Sequence, residues 1–509
     1  MPGTTAWVLG DQLSRQNPAL PEVERVLIVE SLAAVRRLAY HRQKLHLVWS
    51  AMRHFASDLA ERGVEVDYRE APSMAAGLRE HLDEFDPERI LLLEPTRLGA
   101  GSRLAALDPR VEVLADGLFL TSPEEFSEWA SGRRRLRMED FYRGRRRRFD
   151  LLMDGDEPAG GKWNLDAENR ARPTAGLKPP RPFRPREDEI DSAVRQDLDR
   201  LTGEDAGAGR IVLSGVDGPR LFPAGRDEAK RALKSFCEKR LPEFGTYQDA
   251  MIGGQRFMWH ALLSSSLNLG LLDPLECARA AEDEYRAGRA PLNSVEGFIR
   301  QVIGWREYVW GVYRLRGGEL AGENALGADG VLPAALERLD PESTSMACLA
   351  DTVDGVRETA YSHHIERLMV LGNLMLLAGT EPAEATDWFH RSFIDGYEWV
   401  MVPNVSGMAL WADGGRMMTK PYAASGRYIS RMSDHCRDCR FQPNERTGDE
   451  ACPLTTLYWD FIDRNREVLS DNHRMRMAVA NLDRIEPGEL RAIRDRAVVV
   501  REGLSRGTI

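Results

Sequence analysis

Residues 420–459 read KPYAASGRYISRMSDHCRDCRFQPNERTGDEACPLTTLYW, and three of the chain's six cysteines fall within seventeen residues of this stretch. Cys436 and Cys439 stand as C-x-x-C, and Cys452 comes directly before Pro453, an order in which iron–sulfur proteins present thiolates to a cluster. A fourth soft ligand must come from elsewhere. Cys348 lies in a polar connection, PESTSMACLADT, between helical patterns, whereas Cys237 (ALKSFCEKRL) and Cys277 (DPLECARAA) sit inside helices that need small core residues. The set predicts a metal site rather than a thioredoxin-like dithiol. Four thiolates suit zinc as well as iron, and spacing alone leaves the metal open.

Outward from this stretch the chain carries YSHHIERLMVLGN before it and LYWDF at its end, with VLGDQLS, WSAMRHFA, GGKWNLDAEN and EGFIRQVIGWREYVWG further upstream. Together these segments resemble the prokaryotic iron–sulfur branch of the photolyase/cryptochrome family, the bacterial (6-4) photolyases, along nearly the whole chain. The resemblance implies an α/β N-terminal antenna domain with a parallel, Rossmann-like sheet and a large all-α C-terminal FAD-binding domain. It also implies three bound groups: FAD, a 4Fe-4S cluster and 6,7-dimethyl-8-ribityllumazine. Cys348, Cys436, Cys439 and Cys452 are then the cluster ligands.

A chain of 509 residues is too long for one compact core. Three spans are expected: an α/β antenna-binding domain at 1–125, a long interdomain connection at 126–230, and a helical FAD-binding and iron–sulfur catalytic domain at 231–509. With 42% hydrophobic residues and a mean hydropathy of −0.42 the chain reads as soluble. No apolar run is long enough to span a bilayer and no signal layout opens the chain. Clustered rather than paired cysteines fit a reducing cytoplasm, and a monomer is expected. The net charge of −11 argues against indiscriminate nucleic-acid binding but says nothing about a local basic patch.

In the first 120 residues the apolar runs AWVLG, RVLIVE, LHLVWS, VEVDYRE, RILLLEP and VEVLAD alternate with amphipathic stretches such as SAMRHFASDLAERG. That alternation predicts a parallel sheet covered by helices. Ligands of such sheets bind at the carboxyl ends of the strands, which points to Gly10, Asp11 and Gln12 after the first strand and Glu30 after the second. The G-x-G-x-x-G fingerprint is missing there, so an NAD site is not expected. An ordinary strand-to-loop turn explains Gly10 and Asp11 equally well; the resemblance makes the lumazine antenna the expected guest.

Between 130 and 230 the composition turns to Arg, Pro and Gly with weak periodicity, as in GRRRLRMED, RGRRRRFD, RPTAGLKPPRPFRPRED and GEDAGAGR. The connection is expected to cross the surface. The arginines from Arg133 to Arg148, interleaved with Phe141, Tyr142 and Phe149, could neutralise phosphates and stack on bases, or form a solvated charged face.

From 230 onward the pattern is helical. Asp273-Pro274 with Glu276 sets a helix start and Gly288 suits its end. Tyr247 and the run from His260 to Gly270 set hydroxyls and small residues in an apolar background. Such a run suits a phosphate or a tight helix pair. Arg306 falls on the apolar face of Ile299, Val302, Ile303 and Trp310, so it must be paired, with a carboxylate or with cofactor phosphates. In VRETAYSHHIERLMVLGNLMLLAG, read as one helix, Ala360, His364, Leu368 and Leu371 line one face, with Arg367 beside them.

The resemblance gives these residues roles. Tyr247, His260, Ser264, Asn268, Gln301, Arg306, Arg367, Asp395 and Asn404 face FAD, while Met408, Tyr422 and Tyr428 lie near the damaged bases. His363 and His364 meet the lesion, with His364 as proton donor. Trp388 is the first member of the electron relay; Phe389 stands where an oxidisable ring is expected, and the segment before Cys348 lacks a tryptophan, so Trp399, Trp411 or a tyrosine would have to carry the electron. The implied activity is light-driven repair of pyrimidine (6-4) photoproducts in UV-damaged DNA, a lyase reaction in which reduced FAD donates an electron to a flipped lesion. The alternative is a cryptochrome-like blue-light photoreceptor.

Overall fold

Five short strands near the N-terminus form one parallel sheet: β1 (Thr4–Val8), β2 (Arg25–Ser31), β3 (Glu65–Ala71), β4 (Arg89–Leu93) and β5 (Val111–Leu114), in the spatial order β3-β2-β1-β4-β5. This is a computed structural model, and it describes residues 3–174, 176–203 and 210–509. Every residue of β1 is buried, as a central strand covered on both faces requires. Alternate residues then serve different cores. Ala6, Val8, Val26 and Ile28 pack with Leu45, Phe55 and Leu59 of helix α1 (Arg42–Glu61), while Trp7, Leu27, Val29 and Leu92 pack with Leu78 of helix α2 (Met74–Phe85) on the opposite face. The expected α/β half is therefore present, and its strand order reverses between β1 and β4.

The rest is helical. Asp273 caps helix Pro274–Arg286 by accepting the Glu276 N–H at 2.9 Å, and Gly288 follows the helix with a φ of +71°. Cys277 and Cys237 lie buried in helices Pro274–Arg286 and Arg226–Lys239. In the helical half π-type turns occur at Arg300–Trp305, Arg367–Gly372 and Val402–Ala409. Such turns concentrate where a helix is bent to function. Gly372 lets two of them touch: a Cβ there would stand 2.9 Å from the Ala409 Cβ.

Two expectations change. The connection at 126–230 is not a surface crossing throughout, because helices Met138–Phe149 and Glu189–Thr202 form within it. Phe126, Phe141, Tyr142, Leu151 and Val194 enter the same buried cluster as the sheet face and the helical half. Residues 204–209 of GEDAGAGR and Ala175 lie outside the described residues. The sequence 356–379 is also not one helix. Helix Ala347–Thr359 stops at Ala360, whose φ of +53° is left-handed, and a new helix starts at His364. The break puts Ala360 and His364 on different elements.

Candidate active site

The break at Ala360 turns the chain so that Tyr361, Ser362 and His363 pass beneath the segment that carries His260. The His260 and His363 rings stack at 4.6 Å and 9°. Both are buried, and burial together with the neighbouring His363 and Arg240 charges holds the His260 imidazole neutral. His363 sets the start of its helix through its backbone N–H, which reaches Glu366 Oε2 at 3.3 Å. Around this stack His260 Nε2, Ser265 Oγ, Ser266 Oγ, Ser362 Oγ and His363 Nδ1 are buried polar atoms with no hydrogen-bond partner in the protein. Orphans of this kind are rare singly, and here five lie on adjoining segments.

Beside them stands a fixed ion pair. Arg367 Nη1 donates to Asp395 Oδ1 at 2.8 Å, and Asn268 Nδ2 donates to the Asp395 carbonyl at 3.2 Å. Arg367 and the Ser264 hydroxyl hold the Asp395 carboxyl below its ordinary range against the opposing effect of burial. Tyr247 stacks on Trp259 at 4.9 Å. Asn404 turns its amide back to Val400 O at 2.8 Å within its own helix. The sequence-flagged His260, Ser264, Asn268, Arg367 and Asp395 thus come together, while Tyr247 stands on Trp259, the neighbour of His260.

Arg306 does not join them. Its pairing is met by Glu307, at 2.8 Å, and by the Leu118 carbonyl at 3.1 Å, with the guanidinium over Phe119 at 4.2 Å and near Trp399 at 5.7 Å. The carboxylate alternative is the one realised, so nothing in its charge calls for a phosphate. Trp399 belongs to the same cluster, edge-on to Phe119 at 4.8 Å and to Trp310 at 6.1 Å. Trp388 is buried, donates Nε1 to Leu336 O at 2.8 Å, and has Phe389 and Phe393 as ring neighbours.

His364 is exposed but walled by protein, and those walls, with Arg367 and His363, push its pKa down to about 4. Next to the histidines lies a group that the sequence did not flag as site residues. Arg300 places Nη1 and Nη2 each 3.1 Å from Asp166 Oδ1, and Arg170 pairs with the same carboxylate. Asp249, felt by His363 as well as by Asp166 and Arg170, has its pKa pushed up to about 6 by burial and then by the Asp166 charge. Tyr422 and Tyr428 feel these same charges. Gln301 follows Arg300 in the π-type turn. Asn373 pins the loop before Tyr428 by exchanging two 2.9 Å bonds with Ala424. The available signal was position: Asp166 falls within GGKWNLDAEN, and Asp249 is two residues after Tyr247.

Cys348, Cys436, Cys439 and Cys452 line one small cavity with Met346, Ile429, Phe441 and Leu454. Cys348 is in the first turn of its helix and Cys452 caps helix Pro453–Arg464. Burial and mutual repulsion raise the Cys348, Cys436 and Cys452 thiols, Cys436 to about 11. Four thiolates can therefore coexist there only around a cation.

At the sheet edge, Gln12 Nε2 donates to Leu93 O at 3.0 Å and the Thr96 hydroxyl donates to Asp11 Oδ2 at 2.7 Å, joining the ends of β1 and β4. Gly10 makes room for α1, since a Cβ would meet Met52 Sδ at 3.0 Å. Both Glu30 oxygens are taken by Arg53, at 2.8 and 3.0 Å, and Tyr68 donates to one of them. Glu30 is thus bound into the sheet, and Asp11 alone of the four has a carboxylate oxygen left over.

No helix among the described residues is long and apolar enough to cross a membrane. The family profile described as deoxyribodipyrimidine photo-lyase-related protein matches residues 6–210. A (6-4) photolyase of Agrobacterium fabrum is 43% identical over 495 residues, covering 94% of this chain and 95% of that protein. A crystal structure of a bacterial class III photolyase from Agrobacterium tumefaciens is similar in fold, with a TM-score of 0.58 and 14% identity over 98% of this chain and 97% of that one. The orphaned polar cradle, the converging thiols and this relationship over almost the full length lead to one assignment: the chain belongs to the photolyase family, in the photolyase-related branch that includes the Agrobacterium (6-4) photolyase.

Proposed function

We propose that this protein is a DNA photolyase that uses light to repair pyrimidine (6-4) photoproducts. The observation that carries the reading is the exposed His364 beside a buried, unsatisfied polar cradle, in a chain 43% identical to a protein named (6-4) photolyase. Bound FAD supplies light-driven one-electron chemistry. The chain's own part is to hold and to move a proton. The Arg367–Asp395 pair, Asn268, Ser264 and the orphaned hydroxyls of Ser265, Ser266 and Ser362 would hold the flavin. Neutral His260, stacked on His363, closes one wall, and Tyr247, Gln301, Asn404 and Met408 complete the surroundings. His364, with Tyr422 and Tyr428 opposite, meets the flipped lesion and gives a proton to the group that leaves one base for the other. Trp388 and Trp399 remain the relay candidates.

A 4Fe-4S cluster would be held by Cys348, Cys436, Cys439 and Cys452, which line one cavity; four thiolates suit zinc as well, and iron and zinc analysis of the purified protein decides between them. A lumazine antenna, if bound at the sheet edge, rests on Asp11 at the β1–β4 crevice. The test is repair of a (6-4) oligonucleotide under blue light by protein with fully reduced flavin, alongside an absorption spectrum for flavin, lumazine and the broad iron–sulfur band. Full reduction without any repair would transfer the reading to a photoreceptor.

A further inference from the structure

Helix α1 begins at the seam between the two halves. Its capping residue, His41, donates its backbone N–H to Arg391 O at 2.9 Å, and its Nε2 lies 3.0 Å from Arg357 O. Lys44, in the first turn, extends Nζ to His390 O at 2.6 Å and to Gly396 O. His390 and Arg391 belong to the last turn of helix Pro382–Ser392, where carbonyls lack helical partners and carry partial negative charge. The turn that follows is crowded with further carbonyls. A Cβ on Gly396 would stand 2.5 Å from His390 O and 2.7 Å from Phe389 O, so no side chain fits there. Asp395, the partner of Arg367, is the residue before it.

We infer that Lys44, which belongs to the α/β half, is a positioning residue for Asp395 and thereby for the flavin held in the helical half. Lys44 is 4% exposed and touches no part of the cradle except through this turn. Its two acceptors match the two N–H donors that even an uncharged amine keeps, and although burial pulls its pKa down to about 7, the Asp395 carboxylate attracts its charged form. Without it, the His390 and Gly396 carbonyls lose their donor and the tight turn loses its tie to α1. The inference rests on the assignment of the Arg367–Asp395 pair to the FAD site.

The test is release of FAD from purified holoprotein on dilution, followed by the fluorescence of free flavin, for Lys44→Met, Lys44→Arg, Asp395→Asn and Lys44→Met/Asp395→Asn. Lys44→Met and Asp395→Asn should each speed release about tenfold or more, the double variant should exceed Asp395→Asn by no more than about twofold, and Lys44→Arg should stay near wild type. Multiplying effects in the double variant, or wild-type release from Lys44→Met while Asp395→Asn releases fast, overturns the inference. Unchanged release from Asp395→Asn overturns the assignment of the pair itself. Should Lys44→Met not fold, Lys44→Leu, which likewise removes every N–H donor to His390 O and Gly396 O, is read by the same outcomes.

Discussion

His364 can act as an acid only when protonated, and its depressed pKa of about 4 leaves on the order of 10⁻³ of it charged at pH 7. The charged fraction grows tenfold for each pH unit on descending toward that value. Single-turnover repair by fully reduced protein should therefore accelerate from pH 8 to pH 6, and His364→Ala should abolish that slope and lower the rate by about 10²–10⁴-fold while FAD is retained. A flat wild-type profile would assign the proton to a group that stays protonated across this window, such as Tyr422, whose hydroxyl burial raises above its ordinary range. Gly426 offers a second test at this scale. A Cβ there would lie 2.6 Å from Cys452 Sγ, so Gly426→Ala should reduce iron per chain and destabilise the fold by about 1–3 kcal/mol; unchanged iron and melting temperature would mean the thiols sit elsewhere when loaded. The convergence of the four cysteines was legible because their chemistry is tied to residue type. Asp166 and Asp249 were not, because a lone carboxylate in sequence does not reveal which arginine it will meet.

Helices were easy to find and harder to end. The apolar period from Val356 to Gly379 hides the left-handed Ala360, since alanine carries none of the signals that glycine would give, and the π-type turns at 300–305, 367–372 and 402–409 leave no mark on a 3.6-residue period. Five of the six apolar runs became the strands of the sheet; the sixth, LHLVWS, lies instead in helix α1, where Leu45, Leu47 and Trp49 pack into the same core as the sheet face. The cap of α1 yields a pH prediction. His41 accepts the Gln43 N–H on Nδ1, so its Nε2 carries the proton shared with Arg357 O. Burial lowers its pKa to about 4, so the neutral ring is favoured on folding. The stabilisation is complete above the unfolded value of about 6.5 and drains away as pH falls toward 4, a total of about 3 kcal/mol. The melting temperature should decline over that window, and less steeply in His41→Asn, which keeps a cap acceptor but cannot take up a proton; equal slopes would exclude His41 as the sensor.

At the scale of the molecule, DNA binding must come from a surface that the arginine run only partly supplies. Arg146 is fully buried and donates to Leu151, Leu152 and Trp163 carbonyls, and Arg145 pairs with Glu125. Arg133, Arg134, Arg135 and Arg147 are exposed, Arg147 lying 4.6 Å from the Trp163 ring. Arg134→Glu and Arg147→Glu should weaken binding to damaged and undamaged duplex alike and lower the salt slope by about 0.9 per lost phosphate contact. Arg146→Ala should instead cost stability, about 1–3 kcal/mol for each buried carbonyl left without a donor. Salt slopes unaltered in both surface variants would return these arginines to a solvated face. The buried cluster that runs without interruption from Ala6 and Val8 of the sheet, through Phe141 and Tyr142, to Ile303, Trp310 and Trp399 of the helices has a bearing on ancestry. An α/β half whose inner face is completed by someone else's side chains cannot be exchanged like a cassette among relatives: a graft from a cousin would bring its own knobs to foreign holes. Antenna and catalytic halves in this lineage are thereby bound to change together, substitution answering substitution across the seam, and a chimera of two such chains should be insoluble unless both sides of that seam come from the same parent.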